Sequence, residues 1–215
     1  MGGMKRESGM RLEQVTSSGG GRKRLSALAA LLIFCAASVL GHAAEADPVI
    51  SRIQTLDDTL TSAAKSGTLT GPKVREALRE SFNLSVMAQV AVGAPRATMS
   101  EKEHAAVVEA MSRYTEVRYA REFRDFNTQT IVIDPVVQSR GPDRLVKAEI
   151  REKGEAPLKL GYRLREYNGQ WRIIDVIYNG VSQLATQRSE FADTIRTGGA
   201  AALVKSLDQA TARLK

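Results

Sequence analysis

Cysteine is nearly absent from this 215-residue chain, and Cys35 is the only one. It sits inside an apolar run that reads as an export signal, so it is expected to leave with that signal. A chain processed in this way has no disulfide, no thiolate metal ligand and no thiol nucleophile. Histidine is almost as scarce: beyond the leader only His104 remains, beside Glu101 and Glu103 at a helix start. A surface position is expected for it, and the two glutamates suit the helix macrodipole better than acid–base chemistry. A zinc site would have to be built from carboxylates, which is unusual.

The motifs of covalent catalysis are missing too. Gly180-Val181-Ser182 lacks the second glycine of a serine elbow, and Ser182 reads as a helix N-cap. Gly198-Gly199 reads as a helix stop rather than a phosphate cradle. No dinucleotide or P-loop pattern occurs. Neither an enzyme nor a cofactor is expected. The chain carries 31 basic and 24 acidic residues; without residues 1–46 the balance is 25 to 21, or +4. So small an excess does not point to nucleic acid.

What is present begins with targeting. Arg22-Lys23-Arg24 precedes an apolar run from Leu25 to Leu40, and Ala44-Glu45-Ala46 follows. Charge, short apolar core and small residues make up a secretory signal, with a cut expected after Ala46 and a second option after Ala43. The run is short for a membrane anchor, the competing reading, since a span takes about 20 apolar residues. Residues 1–46 are therefore read as leader and cleaved signal, with Met4 and Met10 as alternative starts, and 47–215 as one domain.

That domain opens with helices. Asp47-Pro48 starts one, ended by Gly67; Gly71-Pro72 starts a second; Asn83 caps a third, stopped by Gly93 and Pro95. Ser100 to Glu103 forms a capping box before a long helix to about Phe126, with Val107, Met111 and Tyr114 on one side. The pattern then alternates, predicting strands at 130–138, 144–152, 157–167 and 170–178. Helices resume at 182–196, where Leu184, Arg188, Phe191 and Ile195 form a stripe, and again beyond Gly199. The expected fold is α+β: a four-stranded antiparallel meander, with helices before and after it packed on one sheet face and enclosing an apolar cavity.

Asn168-Gly169 is a two-residue hairpin signal. It predicts that residues whose numbers sum to 337 face each other. One face then carries Leu160/Ile177, Tyr162/Asp175 and Leu164/Ile173, and is expected to be the core. The other carries Lys159/Tyr178, Gly161/Val176 and Arg163/Ile174. An inward Asp175 needs a partner, and Tyr162 and Arg188 are the expected ones. The trio either staples helix to sheet, the preferred reading, or shapes a cavity wall.

The segments Tyr162-Arg163-Leu164, Asn168-Gly169, Trp171 to Val176, Gly180-Val181-Ser182 and Arg188 to Phe191 resemble the MlaC family of toluene-tolerance auxiliary proteins. Met87-Ala88, Val92-Gly93 and Arg118-Tyr119-Ala120 match in order. Ser182 to Phe191 with Gly198-Gly199-Ala200 is most similar to the hopanoid-associated HpnM branch. The sequence departs from the family at Ala94-Pro95-Arg96, where an aromatic residue often stands. The resemblance implies a periplasmic carrier of phospholipid or hopanoid, with no cofactor. It implies exchange with an inner-membrane ABC transporter bearing an MCE protein, and with an outer-membrane lipoprotein complex. The chains would lie among Val107, Met111, Tyr114, Leu160, Tyr162, Leu164, Ile173, Ile177, Leu184 and Phe191. The alternative is a ligand-free interaction module with a filled core.

Overall fold

The structure is a computed structural model that describes residues 47–124 and 129–214. The expected leader and its cut site lie outside the described residues, as does Phe126, where the long helix is expected to end; that helix instead stops at Glu122, capped by Phe123. Three helices come first: α1 (Pro48–Ser66), α2 (Pro72–Ser81) and α3 (Leu84–Val92). Each starts where the sequence places it. The Asp47 carboxylate accepts from Val49 N at 2.8 Å, and the Asn83 side chain accepts from Val86 N at 3.1 Å. A short 3-10 turn, Ala94–Thr98, follows Gly93. Helix α4 (Glu101–Glu122) opens on the full capping box: Ser100 Oγ accepts from Glu103 N, and Glu103 Oε2 accepts from Ser100 N at 2.8 Å.

The sheet follows as β1 (Gln129–Arg140), β2 (Asp143–Glu152), β3 (Leu158–Tyr167), β4 (Gln170–Tyr178) and β5 (Val181–Ser182), antiparallel and in sequence order. Four strands match the expected meander. The fifth, two residues long, is an addition: it turns at Asn179-Gly180 and pairs back on Ile177 and Tyr178. Helix α5 (Gln183–Leu214) completes the chain. It is broken at Gly199, with φ 62° and ψ −157°, where the sequence predicts two helices. Beside that break a Cβ on Gly198 would lie 2.5 Å from Ala202 Cβ. Gly198→Ala is therefore expected to lower stability by about 1–2 kcal/mol through overpacking, read as a lower denaturant midpoint with an unchanged m-value.

All the strand–helix packing is on one sheet face. Helix α1 lies over β1, β2 and β4, while α2, α3 and α5 meet β4, and α4 packs on α5, α3 and α2. Val146, Leu164, Ile173, Val107, Ile53 and Leu203 are among the most deeply buried side chains of the shared core. A backbone bond from Asn83 N to Ile173 O, 2.9 Å long, ties the α2–α3 junction to the sheet.

The hairpin begins as predicted. Asn168 and Gly169 take φ of 51° and 76°, and Tyr167/Gln170, Glu166/Trp171, Arg165/Arg172 and Leu164/Ile173 are opposed. Beyond Leu164 the register shifts by one, and Ile174 is the extra residue of a bulge. Asp175 therefore faces Arg163 rather than Tyr162, Val176 faces Tyr162, Ile177 faces Gly161 and Tyr178 faces Leu160. Because side chains alternate with period two, this exchanges the faces of the rest of the strand. Ile177, expected among the core residues, stands on the outer face, and Tyr178 turns toward the helices.

Candidate functional site

The helix–sheet core opens at one end of the sheet into two neighbouring clefts. The inner one, about 40 Å³, is walled by Phe82, Met87, Tyr114, Tyr119 and Val176. The outer one, about 500 Å³, is walled by Phe123, Ile150, Ala156 and Leu158. Arg118, Glu122, Tyr178 and Gln183 belong to both and form the lip between them.

Each lip residue has a structural reason to be there. Arg118 and Glu122 are one turn apart on α4, and Arg118 Nε donates to Glu122 Oε1 at 2.7 Å. Arg118 Nη2 donates to Gln183 Oε1 at 3.2 Å, bringing the start of α5 to the lip. The Tyr178 hydroxyl points at Glu122 Oε2 from 3.5 Å, a place it reaches only because of the bulge. Burial alone would lower the Arg118 pKa, but Glu122 raises it above the ordinary value, so the guanidinium stays charged. Burial pushes the Tyr119, Tyr162 and Tyr178 phenols up, so all three are neutral at physiological pH. Phe82 meets Tyr119 edge-on at 5.5 Å, and Tyr119 stacks on Phe123 at 6.1 Å, lining the cleft wall with rings. Within the inner cleft Gln187 Oε1 is buried without a partner. The arrangement is an apolar slot whose edge carries Arg118 ion-paired with Glu122, neutral hydroxyl and amide groups, and, on the outer side, Glu152 and Glu155. It can hold an amphiphile. It offers no nucleophile–base pair, and among the described residues no group of acidic, cysteine or histidine side chains could hold a metal.

The residues expected from sequence divide. Val107, Met111, Leu160, Tyr162, Leu164, Ile173 and Leu184 are buried in the core, with Tyr114 and Phe191 packed partly exposed against it. Of these, Tyr114 reaches the cleft wall, and Ile177 lies on the other side of the sheet. His104, expected at the surface, is buried, because 104, 107 and 111 share one helical face. Burial, aided by Arg96, lowers its pKa.

The expected trio of Tyr162, Asp175 and Arg188 does not form. Asp175 is buried and accepts from Ser182 Oγ at 2.7 Å and Leu184 N at 3.1 Å. Ser182 Oγ accepts in turn from Ala185 N at 3.0 Å, so it is the N-cap expected of it. Asp175 does join helix to sheet, but through the first turn of α5. Arg188 is exposed, its guanidinium lying over Gly93, and no ion pair joins it to Asp175. The lip residues Arg118, Glu122, Gln183 and Gln187 were not expected from sequence. Only the Arg118-Tyr119-Ala120 match hinted at the first of them.

Known proteins share this architecture. A family model described as MlaC protein matches residues 47–209. The toluene tolerance protein Ttg2D of Pseudomonas putida is 27% identical over 81 residues, which is 38% of this chain and 38% of that relative. The chain's match thus spans little more than a third of that curated relative. A phospholipid-binding protein from Ralstonia solanacearum, solved in complex with a phospholipid, superposes with a TM-score of 0.67 at 21% identity, covering 77% of this chain and 98% of the other.

Proposed function

Because this chain belongs to the MlaC family, we propose that it is a periplasmic carrier that shelters the acyl chains of a phospholipid between its helices and its sheet. Family membership makes it a binding protein rather than an enzyme. The observation that carries the reading is the paired apolar cleft with Arg118 fixed at its lip. A two-chain lipid exposes roughly 30 methylenes, and at about 0.8 kcal/mol each their exposure costs on the order of 24 kcal/mol. Crossing water therefore requires a protein cover. The Arg118 guanidinium suits a phosphodiester at the cleft mouth, since arginine matches phosphate geometry. No helix among the described residues is long and apolar enough to cross a membrane, and an export signal at residues 1–46 would deliver the domain to the periplasm. The likeness of Ser182 to Phe191 to the hopanoid-associated branch extends the reading to hopanoids or lipids handled with them. Its exchange partners would be an inner-membrane ABC transporter with an MCE protein and an outer-membrane lipoprotein complex.

The test is lipid analysis of protein purified without detergent from its own periplasm. Native mass spectra should show a lipid-bound species and denaturing spectra the bare chain. Protein that is repeatedly lipid-free would overturn the carrier reading. A charge-assisted hydrogen bond contributes about 1.5–3 kcal/mol, so Arg118→Ala is expected to release phospholipid about tenfold faster or more, measured by transfer to acceptor vesicles. A second reading has one observation in its favour: the inner cleft, at about 40 Å³, is nearly filled by side chains. A ligand-free interaction module would have such a core, and the same spectra separate the two.

A further inference from the structure

The outer face of the sheet, turned away from the helices, carries a groove of about 590 Å³. Its apolar part comes from Val132, Leu145, Gly161 and Ile177. Gly161 makes the groove possible: a Cβ there would already lie 3.4 Å from both Ile177 Cβ and Leu145 Cδ1. The bulge at Ile174 supplies Ile177, which the unshifted register would send to the core. Three of the four large hydrophobic residues most exposed among those described, Val132, Val136 and Val181, border this depression or adjoin its rim residues Pro135 and Gly180. A cluster of this kind marks a binding surface more often than scattered apolar residues do.

The rim is cationic in a selective way. Asp134, the carboxylate at the β1 side of the groove, accepts from Val136 N at 2.9 Å, Arg151 is held by Glu149 at 2.8 Å, and farther along the face Arg165 and Arg163 share Asp143. Lys147 and Lys159 are exposed and form no ion pair among the described residues. Lys147 is the cross-strand partner of Gly161, and Lys159 stands two residues before it. Two uncommitted ammonium groups thus flank the bare glycine floor. The Lys159 backbone is tied to Asn179 by bonds of 2.9 and 3.1 Å, which fixes the edge of the groove next to Gly180.

We propose that this groove is a second binding site, separate from the helix–sheet cleft, for a single-chain anionic amphiphile: a fatty acid or a lysophospholipid bound as one molecule. The aliphatic floor takes the chain, and Lys147 and Lys159 take the carboxylate or phosphate. The volume lies within the range of small-molecule sites, about 300–1,000 Å³, and the two free ammonium groups favour an anionic head group over a neutral one.

The experiment is an amide NMR titration of the purified protein with laurate, with dodecyl maltoside as the neutral comparison. Laurate is expected to shift Gly161 and Ile177 saturably, and the maltoside to act at least tenfold more weakly. The double variant Lys147→Glu/Lys159→Glu should weaken laurate at least tenfold and leave co-purifying cleft lipid unchanged. Val132→Asp, at an exposed position, should do the same if the charge reversals disturb folding. Laurate shifts confined to Tyr119 and Tyr178, or equal affinity in the variants, would overturn the proposal. So would a face that responds to vesicles of three parts phosphatidylcholine to one part phosphatidylglycerol but not to laurate, since that face would dock on membranes. No response to either, as from a site for an acidic protein, would overturn it too.

Discussion

Replacing Asp175 with alanine is expected to lower the unfolding free energy by about 2–4 kcal/mol, while Arg188→Ala changes it by less than about 0.5 kcal/mol. The reason is the pairing around the start of α5. Asp175 satisfies a backbone N–H at Leu184 and a hydroxyl at Ser182 from a buried position. Removing the acceptor leaves both donors short of a partner, at about 1–3 kcal/mol for an unsatisfied buried group, and weakens the cap of a helix that closes over the sheet. Arg188 is solvent-exposed. Its loss falls in the range of ordinary surface substitutions. Urea denaturation of the two single variants and the double variant should show additive effects. A large loss in Arg188→Ala, or strong coupling, would mean that the arginine does reach the carboxylate. Asp175→Asn should recover part of the stability, since an amide oxygen can still accept from Leu184 N.

Asp57→Asn should act in the opposite direction, raising stability at pH 7.5 by about 1 kcal/mol, since partial exposure lets solvent screen the group. Oδ1 of Asp57 on α1 is buried with no partner. Burial, with a smaller contribution from Asp58, pushes its carboxyl up to about 6. In the unfolded chain the group titrates near its ordinary value, about 3.9. Between those two values the folded state holds a proton that the unfolded state has lost, so stability falls as pH rises from about 4 to about 6. The asparagine variant lacks that decline. The stability difference between the two proteins should therefore be small at pH 3.5, grow through pH 6 and level off above it. His104 works the other way, since its lowered pKa removes stability as pH drops below its ordinary value near 6.5. It is common to both proteins and cancels in the difference. A difference that is flat with pH would show that the Asp57 carboxylate is hydrated in solution.

These two residues show what was legible in the sequence. Helix starts were, because Asp47-Pro48, Asn83 and the Ser100–Glu103 box act through bonds to their own neighbours. The meander was, because Asn168-Gly169 takes positive φ at both residues. The face of Asp175 was not. Local alternation counts residues, and the extra Ile174 leaves no mark in composition: Ile173-Ile174 reads as ordinary strand. The burial of Asp57 is illegible for a similar reason, since a charged residue between Leu56 and Asp58 reads as the solvent side of an amphipathic helix. The cleft lip was the hardest part. Arg118, Tyr178 and Gln183 come from a helix, a strand and the helix after it, and only tertiary packing brings them together.

The bulge in β4 also separates two properties of a strand that usually change together, its length and its face. Sliding the surplus residue from position 174 toward the end of the strand would return Asp175 and Tyr178 to the other side without altering a single amino acid. Deleting Ile174 would not, because the pairing beyond it already skips that residue and would keep Asp175 opposite Arg163 and Tyr178 opposite Leu160. Migration of the bulge along this hairpin is thus a route by which descendants of one ancestor could exchange binding linings while point substitutions left the strand almost untouched. Gapped alignments of relatives should be read with that in mind, because a gap placed one position off assigns the lining to the wrong side chains.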